Sequence, residues 1–159
     1  GESMTTALDN VLVGFDAGAG ITDGGENTII GSNAGETITI GDKNTIIGSG
    51  AVASSGANSL GAVAIGRSAS ATTKSVAVGT GATVTGATGT AIGEATSVTA
   101  ASGIAIGQGC AVSSNVLGLA SALNPIDVIN ELADAEIASY LTVVVNGVTR
   151  YIALYSGTP

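Results

Sequence analysis

The chain has 159 residues, of which 25 are Gly, one is Phe and none is Trp or His, and its formal net charge is −8. An acidic surface repels nucleic acid and anionic membranes, and no run approaches the about 18 apolar residues that span a bilayer. Gly does not recur at every third position, which excludes collagen. The hydrophobic content of 45% nevertheless predicts a folded chain with a narrow core of small side chains.

A short motif recurs seven times along the chain. Each copy places three mostly apolar residues before a glycine, and successive glycines lie 13 to 18 residues apart. A small residue such as Ala17 or Ala82 follows each glycine at the third position. Repetition of this kind predicts a solenoid, in which stacked turns bury a continuous core. The structural repeat glycines are Gly14, Gly31, Gly48, Gly66, Gly79, Gly93 and Gly107.

Each repeat predicts two short strands joined by turns. Side chains alternate along a strand, so the residues one and three before the glycine, such as Ile104 and Ile106, share one side. We expect these pairs to form the core with the small residues of the second strand. The middle residue then faces the opposite way, at a subunit interface. It is large in the first three repeats and Ala in the last four.

Repeat length divides the chain into four parts. The first begins with Gly1-Glu2-Ser3 before Met4, which is typical of a cloning remnant. We predict an N-terminal tail over 1–9, 17-residue β-roll repeats over 10–55, 14-residue repeats over 56–114 and a C-terminal cap over 115–159.

The cap is predicted to contain a helix and a hairpin. Asn124-Pro125 is a favourable helix start, and apolar residues at helical spacing extend this helix to about Ser139. Asn146-Gly147 between two β-rich runs predicts a tight hairpin turn.

The repeats resemble known surface-fibre proteins. Segments 75–82, SVAVGTGA, and 103–110, GIAIGQGC, are similar to head repeats of trimeric autotransporter adhesins. The units around Asn27 and Asn44 look like repeats of phage tail-fibre and other virion proteins. The resemblance covers residues 10–114, and 141–155 loosely. It implies an all-β fold: a left-handed parallel β-roll or β-solenoid in an intertwined homotrimer, to which we add the helix plus β-hairpin module.

This resemblance implies a role on a virion surface. We expect a non-enzymatic, trimeric fibre or spike segment of a phage that presents sites for host attachment. One alternative is a capsid decoration, or cement, trimer bound to the shell through its terminal module. The other is a bacterial trimeric adhesin head. The expected partners are the chain itself and a host receptor or glycan, or another virion protein such as the capsid. We expect neither nucleic-acid binding nor membrane insertion.

No residue pattern indicates catalysis or a cofactor. Cys110 occupies the position of Ala69 and Ala82, and no His is present to activate it, so it is predicted to be a small core residue. Five acidic residues of the first repeats are predicted to be solvated, with a Ca²⁺ site as the alternative. These residues are Asp16, Asp23, Glu26, Glu36 and Asp42.

Two further groups of polar residues are candidate sites. Asn10, Asn27 and Asn44 recur every 17 residues, which predicts a ladder that satisfies turn backbone; the alternative is a polar stripe that contacts a glycan. In the cap, four residues are expected to pack internally or, alternatively, to form a docking surface for a receptor or virion protein. They are Tyr140, Arg150, Tyr151 and Tyr155.

Overall fold

The computed structural model describes residues 3–53, 59–115 and 117–119, together with the backbone of residues 137–145 and 148–155. The chain divides into two compact units, residues 1–126 and 127–159. Within the described residues every regular element is a β-strand. The first unit is a parallel β-solenoid of about seven turns. The predicted all-β solenoid is therefore confirmed.

One strand from each turn joins a long parallel sheet of eight strands. Numbered along the chain, these strands are β1 (Val11–Val13), β2 (Thr28–Ile30), β3 (Thr45–Ile47), β5 (Val63–Ile65), β7 (Val76–Val78), β9 (Thr90–Ile92), β11 (Ile104–Ile106) and β13 (Leu117–Leu119).

A second strand from the later turns forms a short parallel sheet of five strands. These are β4 (Val52–Ala53), β6 (Ser70–Ala71), β8 (Thr83–Val84), β10 (Ser97–Val98) and β12 (Ala111–Val112). In both sheets equivalent residues of successive turns pair with each other, as Ala77 does with Ala91 and Ser97 with Ala111. Differences in repeat length are therefore accommodated in the connections between strands.

The core lies on the side of the middle residues. Ile29, Ile46 and Ala105 are fully buried, whereas Ile104 and Ile106 are each 40% exposed. The prediction that the flanking pairs form the core and the middle residue faces a subunit interface was therefore wrong. The interior between the two sheets is too narrow for two large side chains per strand, so the single, mostly small, middle side chain points inward.

The predicted second strand is present in the last five repeats. It is absent from the first two, where the residues after Gly14 and Gly31 form turns, so the prediction was wrong there. The small residue three positions after each glycine is buried, and in the last five repeats so is its neighbour two positions on, as Ala82 and Val84 are. The wider 17-residue turns fill the corresponding space with Ile21 and Ile38, which are fully buried. The motif search missed these two isoleucines, although their 17-residue separation carried the signal.

The repeat glycines lie where consecutive turns touch. Their φ angles are between 115° and 137°, and a Cβ on Gly79 would stand 2.3 Å from the carbonyl oxygen of Gly93. The residue two positions after each glycine has a left-handed backbone conformation, as Ala95 does at φ 53° and Gly81 at φ 67°. A glycine is needed at the repeat-glycine position itself, because both its φ angle and its short distance to the next turn exclude a side chain.

An eighth strand, β13, extends the long sheet into the region assigned to the cap. Ala105 pairs with Gly118, and a Cβ on Gly118 would stand 2.5 Å from Cγ2 of Val112. The motif search missed this strand because the residue after Leu119 is Ala120 instead of glycine.

The second unit contains β14 (Ile137–Val145) and β15 (Val148–Tyr155), which pair antiparallel with Val145 opposite Val148. The predicted turn, Asn146-Gly147, lies outside the described residues, as does most of the predicted helix. The last three residues of that helix, 137–139, belong to β14, so the predicted helix end was wrong. The run from Ile137 is rich in β-branched residues, which favour a strand.

We expect Gly79→Ala to destabilise the protein far more than Gly81→Ala. The first methyl group would meet the Gly93 backbone, which should cost more than about 3 kcal/mol. The methyl group of Gly81→Ala would meet no atom within 4 Å. This variant should lose only the about 1 kcal/mol of stability that a left-handed backbone costs a residue with a side chain. Urea unfolding followed by circular dichroism at one protein concentration measures both. Equal losses would contradict the close contact between the glycines.

Candidate functional site

The outward side of the long sheet is an apolar surface, which we name the apolar face. Of its sixteen outward residues, thirteen are aliphatic, three are Thr and none is charged. All are exposed or half-buried in the single chain. The face consists of Val11, Val13, Thr28, Ile30, Thr45, Ile47, Val63, Ile65, Val76, Val78, Thr90, Ile92, Ile104, Ile106, Leu117 and Leu119.

The outward side of the short sheet has a different chemistry. Its two end strands present Val52 and Ala111, whereas the three strands between them present hydroxyl groups. We name as the hydroxyl face the outward residues of these three strands with the Thr that follows two of them: Ser70, Thr83, Thr85, Ser97 and Thr99. Thr85 and Thr99 are exposed and the other three are half-buried. The same turns therefore present hydroxyl groups on one side and aliphatic groups on the other.

The three asparagines form a hydrogen-bonded ladder inside the first turns. The Asn27 side-chain amide donates to Oδ1 of Asn10 at 3.0 Å and to the Gly41 carbonyl at 2.8 Å. The Asn44 amide donates in turn to Oδ1 of Asn27 at 2.9 Å. The ladder ends where the Ala62 N–H donates to Oδ1 of Asn44 at 2.8 Å. The predicted ladder is confirmed.

The alternative role of these asparagines as a glycan-binding stripe was wrong for two of them. Asn27 and Asn44 are each 1% exposed, and the oxygen and nitrogen of both side chains are bonded within the protein. The ladder therefore joins consecutive turns and offers no free polar group there.

Two of the acidic residues of the first turns, Asp23 and Asp42, accept separate local hydrogen bonds. Oδ1 of Asp23 accepts hydrogen bonds from the Thr5 hydroxyl at 2.6 Å and the Thr6 hydroxyl at 2.7 Å, and these bonds lower the pKa of Asp23. Oδ1 of Asp42 accepts the Gly25 N–H at 2.7 Å. Across the described part of the chain, no three His, Cys, Asp or Glu side chains lie together in a group that could hold a metal ion.

Cys110 is a core residue, as predicted. It is 5% exposed and occupies the same column as the buried Ala82 and Thr96. Its Sγ lies 2.9 Å from the position that a Cβ on Gly118 would take, so the small neighbour makes room for the sulfur.

The four candidate docking residues of the C-terminal unit lie on its two paired strands. Tyr140 is opposite Ala153, Tyr151 is opposite Thr142, and Arg150 is opposite Val143. Tyr155, at the end of β15, is opposite Ile137. The backbone pairing thus brings the four positions into one two-stranded sheet, and their docking role stays a prediction.

Comparison with known proteins identifies no relative: no family model, no curated protein and no solved structure matches this chain. The described residues include no helix that is long and apolar enough to cross a membrane.

We expect Asn44→Asp to destabilise the solenoid by at least about 3 kcal/mol at pH 7, because a buried charge replaces the amide that donates two hydrogen bonds. Asn33→Asp is the control: Asn33 is exposed, and its Oδ1 only accepts the Ser32 hydroxyl. That control should change stability by less than about 0.5 kcal/mol.

Burial raises the pKa of the introduced carboxyl above its unfolded value. The loss caused by Asn44→Asp is therefore full at neutral pH and decreases as the pH falls through the folded-state pKa. Below about pH 4 only the part due to the missing amide donor remains. Urea midpoints of the variant and the wild type between about pH 3 and about pH 7 test this, because the range begins below the unfolded aspartate pKa of about 3.9. A loss that does not change with pH would contradict the buried ladder.

Proposed function

We propose that this chain is a non-enzymatic structural protein, a trimeric fibre or spike segment of a phage virion surface that presents sites for host attachment. The observation that supports this most is the uninterrupted parallel stack of eight strands in register. Such a stack is suited to transmit position and force along one axis. Its location would be extracellular, on the virion.

The stack has the properties of a short, stiff rod. Seven steps of about 4.8 Å between eight strands give a length of about 34 Å. Backbone hydrogen bonds join each turn to the next, such as the bond from Gly79 N–H to the Ile65 carbonyl at 2.8 Å. The asparagine ladder adds side-chain bonds in the same direction. Each turn is therefore fixed by its neighbours.

The proposed assembly is an intertwined homotrimer of left-handed β-rolls, which follows from the resemblance to trimeric adhesin heads. Three copies present each attachment site three times, so weak contacts with a host receptor or glycan gain avidity.

Two other assignments share this architecture. In a capsid decoration trimer the C-terminal unit, with Tyr140, Arg150, Tyr151 and Tyr155, would contact the shell. In a bacterial adhesin head the solenoid itself would contact the host. Binding of the purified protein to whole cells favours the fibre or the adhesin, and binding to undecorated capsids favours the decoration protein.

We expect light scattering on the intact chain to give three times the mass of one chain, unchanged on moderate dilution, because obligate trimers dissociate only at low concentration. A mass of one chain would contradict the trimer and the avidity argument.

We expect the double variant Tyr140→Ser and Tyr151→Ser to weaken binding to cells or capsids at least about 10-fold, because aromatic residues contribute most to contact surfaces. The control is Ala153→Ser with Thr142→Ser, at the positions opposite the two tyrosines. Pull-down at several protein concentrations measures binding, and light scattering verifies the mass. Equal binding by both variants would remove the C-terminal unit from the contact.

A further inference from the structure

We infer that the apolar face is the surface through which copies of this chain associate, in parallel and in register about a common axis. The inference rests on the proposed homotrimer and identifies the part of each copy that the others cover. The occupant of the face is therefore a second copy of this chain.

The contrast between the two outward surfaces supports a covered apolar face. Ile106 of the apolar face is 40% exposed, and Thr99 of the hydroxyl face is also exposed, in neighbouring turns. Alternation along a strand explains why both point outward, but it does not explain why one is aliphatic. Large continuous apolar surfaces on soluble proteins mark contact sites. The difference thus indicates that water meets one face and protein the other.

The face leaves a large and continuous apolar area exposed in the single chain. Its eight most exposed residues are between 37% and 60% exposed. Together the eight expose about as much surface as three to four fully exposed aliphatic residues. The eight half-buried residues add to this area, which two neighbouring copies share in a trimer. Those most exposed residues are Val11, Val13, Ile30, Ile92, Ile104, Ile106, Leu117 and Leu119.

Charge and periodicity favour a second copy as the occupant. The chain carries a net charge of −8, yet no charged residue lies on the apolar face, so copies can meet there without close repulsion. The face is a row of ridges repeated at the strand spacing of about 4.8 Å. Another copy has the same spacing and can match these ridges along the whole length.

Parallel association places identical residues at the same height around the axis. Ile106 of one copy would then lie near Ile106 of the other two. In an antiparallel pair it would instead lie towards the opposite end of the partner's face, near the turn of Val13. These arrangements predict different cross-links, which makes the orientation testable.

The first experiment compares Ile106→Glu with Thr99→Glu in the full chain. Both residues are exposed and each variant adds one negative charge. We expect Ile106→Glu to retain the β-sheet circular dichroism spectrum and to increase the trimer dissociation constant at least about 100-fold, because three carboxylates would meet without partners. Thr99→Glu should remain a trimer with wild-type dissociation.

The second experiment does not depend on how Ile106→Glu folds. Ile106→Cys and Thr99→Cys are each made with Cys110→Ala, so that each chain has one thiol, and both are treated with oxidised glutathione. We expect covalent dimers of Ile106→Cys on a denaturing gel, with the third thiol of each trimer free, and none of Thr99→Cys.

The outcomes separate this inference from the proposed function. A monomeric wild type overturns both. A trimer that Ile106→Glu does not dissociate, or that cross-links through Thr99→Cys, overturns the inference and leaves the fibre role standing. A dimer that Ile106→Glu dissociates but Ile106→Cys does not cross-link overturns the parallel arrangement. A trimer that dissociates and cross-links as expected, but binds neither cells nor capsids, supports the inference and overturns the proposed function.

Discussion

The close contact between the backbones of consecutive turns at the repeat glycines determines the rest of the solenoid. A Cβ on Gly31 would stand 2.6 Å from the backbone carbon of Gly48, and one on Gly66 would stand 2.5 Å from the oxygen of Gly79. With each turn held directly on the next at this corner, equivalent residues must stack in columns. The paired strands and the asparagine ladder both follow from that alignment.

The same geometry limits the width of the interior. In the later turns, the column of middle residues holds Ala77, Ala91 and Ala105, all fully buried and opposite buried residues of the short sheet. The longer early turns are wider, and they use Ile29 and Ile38 to fill the additional space. Core size therefore changes with repeat length while the pairing of the long sheet continues without a break.

The spacing of the motif was enough to predict the seven strands, the buried second-strand residues and the ladder through Asn27. It could not identify the inward side of the first strand, because alternation with a period of two defines two faces and does not tell which of them is buried. Large aliphatic residues usually mark the core, which made Ile104 and Ile106 the natural but wrong choice. The width of the turn decides which side chains of the first strand point inward, and this width depends on how the strands pack together. The docking role of Tyr140 and Tyr151 could not be derived at all, since it concerns a partner.

The outward direction of the larger aliphatic side chains connects the stability of the fold with its assembly. Burying an alanine contributes little hydrophobic free energy, whereas burying an isoleucine or valine contributes about 1.5–3 kcal/mol. In the second half of the solenoid, Ile65, Ile92 and Ile106 face outward while the interior is lined largely by Ala and Val. A single copy thus leaves much of its larger aliphatic surface in water. Association through that surface would provide the burial that the narrow interior cannot, so folding and assembly would stabilise each other.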